Sequence, residues 1–349
     1  MTDSYNPLMD INTSFCDYLV ARTRSYQEHV VGGTLDYAFD ADFAMRQKIG
    51  GFSGWSRLYK AIISSDIPNR FKRYFQSSDS AGSMQHAKAY EAAKKCSERL
   101  QISLPVVLVR KAGDVPEIMS MAGDGIEPCI VMTSDIADNC SYDELCYLIG
   151  CECGRLQNRH SAFNYAFTYP GISRGDVSEN PADNVKSNVR ELNYSLNKWL
   201  ILGDITADRA GIICLDDPSK FPQVYASVRR RGIPDSFGTV NTGIDIDGIL
   251  KRYETFHVTP VRSLKMGSEC SHDERRIIAG MEFIGCEILY IWRPDLSAPM
   301  THVGNKQSLE IRCDIIADAG SSHSAYRRTT DNDGKKLRQC RCGYCVCSQ

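Results

Sequence analysis

The sequence predicts an α+β chain, mainly helical with a small sheet and an appended tail. Three observations carry this. Apolar residues recur at the helical period in SYDELCYLIGCECGRLQNRH at 141–160, in the stretch over 186–215 and in DERRIIAGMEFIGCEILYIW at 273–292. Three short apolar runs, PVVLVR at 105–110, EIMSM at 117–121 and CIVMTS at 129–134, read as strands. The last 24 residues carry six basic and two acidic side chains and few large apolar ones. Such a segment cannot offset the entropy of ordering its own backbone, so it reads as a disordered tail.

Taken in order, residues 1–84 form a helical N-terminal region, with DYLVARTRSYQEHV and WSRLYKAII separated by glycine breaks such as KIGGFSGW. No chemistry-bearing motif stands out there. HAKAYEAAKKCSERL at 86–100 is a helix with Ala87, Tyr90, Ala93 and Leu100 as its apolar positions. The three strand candidates follow. The helix from Tyr142 opens on a capping box, Ser141 with Glu144, and carries Leu145, Leu148, Ile149, Glu152, Arg155 and Leu156 on one broad face. TYPGISRGDVSENPAD at 168–183 reads as a loop. The next helix presents Ala207, Ala210 and Gly211, small enough to admit a close neighbour. The main domain thus runs over 85–325, and the basic, cysteine-rich tail over 326–349.

The 349 residues are 42% hydrophobic and 24% charged, ordinary globular values that exclude a fibrous or wholly disordered chain. Lys and Arg number 41 against 43 Asp and Glu, and this balance argues against nucleic acid as the main partner. The N-terminus lacks a secretory signal and no apolar run has membrane-spanning length, which makes a cytoplasmic protein the expectation. Of the fifteen cysteines, most lie singly in apolar runs and read as reduced core residues. Cys340, Cys342, Cys345 and Cys347 are the exception: four thiols within eight residues are candidate zinc ligands, or an oxidation-prone tail.

Three segments, in this order, resemble the zinc metallopeptidases of the HtpX and CAAX-prenyl-protease type. They are the stretch from residue 86 through DELCYLIGCECGRLQNRH, then GDITADRAG, then FHVTPVRSLKM, and together they span about residues 86–290. The resemblance implies a zincin-like fold, with a His-Glu-x-x-His helix, a downstream Glu-x-x-x-Asp helix and a later His-Pro segment. In that motif two imidazoles one turn apart hold zinc while the Glu activates a zinc-bound water. Here the corresponding positions read Cys151, Glu152 and Arg155; Asp204 stands for the third ligand, Asp208 for the acid after it, and His257 for the later histidine.

Arg155 weighs most against a metal. A thiolate can bind zinc, whereas a guanidinium offers donors only and keeps its charge. At about 100° per residue, Cys153 and His160 face away from Cys151 and cannot join it. The altered motif therefore implies a pseudopeptidase with no cofactor at the degenerate site, a peptide or protein as partner, and substrate held along the edge strand near CIVMTS. If Glu152 and Arg155 are buried, the guanidinium supplies the charge zinc has left, paired with Glu152, Asp204 or Asp208. By spacing alone, Glu152 and Arg155 could equally be a surface ion pair, Asp204 and Asp208 a solvated helical pair, and His257 a loop histidine. Two other classes stay open: an active atypical metallopeptidase with Glu152 as general base, and a thiol-based metal or redox sensor acting through the C-terminal cysteines.

Overall fold

The computed structural model describes residues 29–31, 33–174, 187–258 and 271–296, together with three short C-terminal strands. A hairpin of β1 (Val30–Val31) and β2 (Thr34–Leu35) leads into α1 (Asp40–Gly50) and α2 (Trp55–Ala61). A π turn over Ile62–Asp66 joins α2 to α3 (Ile67–Ser77). There follow β3 (Asp79–Ser80), α4 (Ala87–Arg99), β4 (Val106–Arg110), β5 (Ile118–Met121) and β6 (Cys129–Thr133). Helices α5 (Ser134–Asn139), α6 (Tyr142–Gln157) and α7 (Ser161–Ala166) precede the long α8 (Ser187–Cys214). The described core ends with α9 (Phe221–Arg230), α10 (Ile246–Val258), α11 (His272–Ile284) and α12 (Glu287–Trp292).

The architecture is mixed α+β, with one four-stranded sheet ordered β3-β4-β6-β5. Strands β4 and β6 are parallel, and β3 and β5 run antiparallel at the two edges. The run CIVMT is therefore interior, buried at every position, and the edge strand beside α6 is β5. This corrects the expectation that placed the edge near CIVMTS: an unbroken apolar run suits a strand covered on both faces, not an edge.

Other expectations shift in detail. The inward face of α4 is Ala89, Ala92, Ala93 and Cys96 with Leu100, while Ala87 is exposed. The helix expected over 273–292 starts one residue earlier behind its Ser271 cap, ends at Gly285, and a new helix starts at Glu287. Among the described residues before 84, Leu35 and Tyr37 share one core with α4, α6 and α8, and Ile49 and Trp55 share another with Val131 and Trp199. Of the tail, the described residues are the backbones of β7 (Arg328–Thr330), β8 (Lys336–Gln339) and β9 (Val346–Cys347), paired antiparallel in that order. Cys347 falls in β9, while Cys340, Cys342 and Cys345 lie outside the described residues. Among the described residues no helix is long and apolar enough to cross a membrane.

Candidate functional site

Helices α6 and α8 form the most extensive helix pair, and small residues set their separation. A Cβ built on Gly154 would stand 2.4 Å from the Ala210 Cβ, and one on Gly150 would stand 2.8 Å from the Cys214 Cβ. From the other side, a Cβ on Gly211 would meet Cys151 Sγ and the Tyr147 ring at 2.7 Å. The helices therefore touch nearly backbone to backbone, which is what the smallness of Ala207, Ala210 and Gly211 in the sequence implied. Helix α6 is properly started by the expected capping box, with Ser141 accepting from the Glu144 N–H and Glu144 accepting from the Ser141 N–H.

That close approach brings the sequence-predicted acids and Arg155 together in the interior. Glu152 is 7% exposed, Arg155 9%, Asp204 2% and Asp208 1%, so the surface-pair readings do not hold. Arg155 donates from Nη2 to Asp204 Oδ1 at 2.7 Å, and its Nη1 lies 3.4 Å from Glu152 Oε1. Asp208 is not a partner of Arg155. It accepts from the Tyr147 hydroxyl at 2.6 Å and from Arg276 of α11 through two bonds, Nε at 2.8 Å and Nη2 at 2.6 Å. Arg276 Nη1 also reaches Asp204 Oδ2 at 3.5 Å. His272 Nε2 lies 3.0 Å from the same oxygen, and the Ser236 hydroxyl donates to Asp204 Oδ1. Cys151 Sγ stands 4.0 Å from Asp208 Oδ1.

The charge states follow from these partners. Burial alone would raise the Asp204 carboxyl, but Arg276, His272 and Arg155 outweigh it and hold Asp204 far below the usual carboxylate range. Glu152 goes the other way. Burial raises it, the Asp204 charge adds to this, and Arg155 at 3.4 Å with the Ser120 backbone offsets only part. Burial and Asp208 likewise push the Cys151 thiol well above its ordinary value, so it is a neutral thiol rather than a ready ligand.

Arg276, His272 and Ser236 were not singled out in the sequence. Arg276 had left a readable signal: it falls on the same helical face as Gly280 and Phe283, all buried, and a charged residue there needs a buried partner. His272 and Ser236 lie on later segments that only the tertiary fold brings to Asp204. His257 sits near the end of α10, with its side chain outside the described residues, as is the rest of its segment from residue 259.

Glu152, Arg155, Ser236 and Arg276 of this set line a cavity of about 780 Å3, with Asp204 and Asp208 behind them. Tyr147, Leu148, Cys151, Glu152 and Arg155 come from α6, and Ile118, Met119, Ser120 and Met121 from the edge strand β5. Val228 of α9 and residues of the segment 233–240, whose Ser236 bonds Asp204, complete the lining. A metal does not fit this donor set. The position between α6 and α8 is filled by two guanidinium groups, and a cation there would be repelled by both. Among the described residues no group of three or more His, Cys, Asp or Glu is placed to hold a metal ion. No family model matches the chain, and no curated protein or solved structure does either.

Proposed function

We propose that the chain is a non-catalytic, peptide- or protein-binding relative of the HtpX-type metallopeptidases, a pseudopeptidase in which arginine has replaced zinc. The observation that carries this reading is the Arg155 guanidinium on Asp204 at 2.7 Å, where the resemblance would put a metal between the two helices. Arg276 on Asp208 extends the replacement to the second acid. The placement of α6 alongside edge strand β5, with a cavity between them, supports a zincin-like ancestry and leaves a groove suited to an extended chain.

Glu152 keeps the position of the general base but not its chemistry. Hydrolysis at neutral pH needs a water made nucleophilic, which zinc supplies by lowering its pKa and which a carboxylate leaning on Arg155 does not. What these side chains can do is hold the cleft wall rigid, with each acid hydrogen-bonded and each arginine paired.

The test is the double substitution Cys151→His with Arg155→His. It restores two imidazoles one helical turn apart beside Asp204, and zinc affinity measured by calorimetry should rise clearly above wild type. The wild-type protein supplied with zinc should leave a fluorogenic peptide pool uncut. Unchanged zinc affinity in the double variant, or peptide hydrolysis by the wild type, would overturn the reading.

A further inference from the structure

The arginines that line the cleft are not all taken up by acids. Six arginines line it against four carboxylates. Arg110 pairs with Glu117, and Arg229 pairs with Asp273 at 3.0 Å and lies 3.6 Å from Asp235. Arg155 and Arg276 are taken up by Asp204 and Asp208 behind the wall. Arg70 and Arg174 remain, and neither forms an ion pair with a described carboxylate. Arg70 directs Nε and Nη2 to the Tyr74 hydroxyl, and its guanidinium lies over the Tyr165 ring at 5.7 Å. Arg174 donates Nη1 to the Ser236 carbonyl at 2.8 Å and lies over Phe167 at 5.3 Å. Aromatic rings beneath both guanidinium planes fix them, and the N–H groups not given to Tyr74 or Ser236 remain for an acceptor.

The neighbouring strand offers main-chain partners. The Thr133 N–H donates to the Glu117 carbonyl, and the register pairs Ile118 with Met132 and Ser120 with Ile130. Bonded and unbonded positions alternate along an antiparallel ladder, so Ile118 and Ser120 turn their N–H and C=O groups outward from β6. Ser120 bears on Glu152, which leaves Ile118 with both groups at the open edge.

We propose that the cleft binds an extended peptide segment with an acidic side chain, Ile118 pairing its main chain and Arg174 with Arg70 receiving the carboxylate. This rests on the peptide-binding reading above and adds the chemistry of the partner. A carboxylate matches a guanidinium edge through paired charge-assisted bonds, and the apolar wall of Leu148, Val228 and Val240 suits the flanking residues.

The experiment uses the full-length protein and three fluorescently labelled pools of ten-residue peptides. They share random small and aliphatic residues and differ only in two central positions, Glu, Gln or Lys. Anisotropy titrations should show the Glu pool binding at least about tenfold more tightly than the Gln pool, the factor expected for one charge-assisted pair. The advantage should shrink at high salt. R174E should move the preference to the Lys pool with an unchanged melting temperature, because Arg174 is exposed. Equal binding of the Glu and Gln pools, or a Glu preference that survives R174E, would overturn the acidic assignment and leave peptide binding standing. Binding of no pool would overturn both.

Discussion

Two aspartates lie fully buried on opposite sides of α8, and their surroundings differ in one instructive respect. Asp42 of α1 accepts from Trp199 Nε1 at 2.7 Å and from the Thr206 hydroxyl at 2.8 Å, with His160 Nε2 at 3.0 Å and Arg46 Nε at 2.9 Å. Asp204 also has a histidine Nε2 at 3.0 Å and an arginine at 2.7 Å. The first acid is saturated mostly by neutral donors, and none of its partners lines the cavity described above. The second is shared between two arginines that line it. Burial and a histidine partner are thus common to a structural node and a candidate site; what separates them is an unusual density of cations and an open face.

The largest effect should come from breaking the structural node. Asp42→Ala strands the Trp199, Thr206 and His160 donors in the interior, and chemical denaturation should show a loss of about 3–5 kcal/mol. Asp204→Asn should cost less, about 2–3 kcal/mol, because Arg155 keeps Glu152 and Arg276 keeps Asp208. An equal loss at both positions would mean that the cleft acid is as much a structural node as Asp42.

Acid titration sharpens the contrast. For both Asp42 and Asp204 burial opposes ionisation but is outweighed, by His160 and Arg46 at one and by Arg276, His272 and Arg155 at the other. Both carboxyls are depressed, so their stabilisation is present above the unfolded-state value near ~3.9 and is lost as pH falls through the acid range. Asp42→Asn and Asp204→Asn should each flatten the acid limb of a stability profile measured from pH 2 to 6. Glu152 is raised by burial, and the sign reverses: its contribution is present at low pH and is lost as pH rises through its folded-state value. Glu152→Gln should therefore change stability by less than about 1 kcal/mol, with any gain appearing at the alkaline end of the same profile.

Local rules made much of this legible from sequence. The capping box located the start of α6, the alternation of helical and apolar runs gave the element order, and small residues on α8 announced its close contact. Arg155 and Asp204 were found because a motif fixed both positions in one frame. Asp42 was missed because its partners lie 118 and 157 residues away at His160 and Trp199, and nothing near it in the chain signals them. Arg276 was missed for a similar reason, since its main partner Asp208 sits 68 residues earlier on another helix. The edge strand was misplaced by one because strand order in a mixed sheet is decided by pairing across the layer, which a short apolar run does not encode.

The glycine-lined contact of α6 with α8 also has a dynamic meaning. Two helices in contact at Gly150, Gly154 and Gly211 hold only closely packed side chains such as Ala210, Cys214 and Cys151 between them, with no room to slide or repack, so this wall of the cavity behaves as a fixed plate. The segment 233–240 is pinned to this plate where the Ser236 hydroxyl bonds Asp204, and beyond that point it is held by turn bonds such as Gly238 N to the Asp235 carbonyl. Amide exchange should then grade across the pocket, slowest along α6 and α8 and faster over 237–240 beyond the Ser236 anchor, so that an entering chain meets an unyielding wall and a more yielding rim beside it.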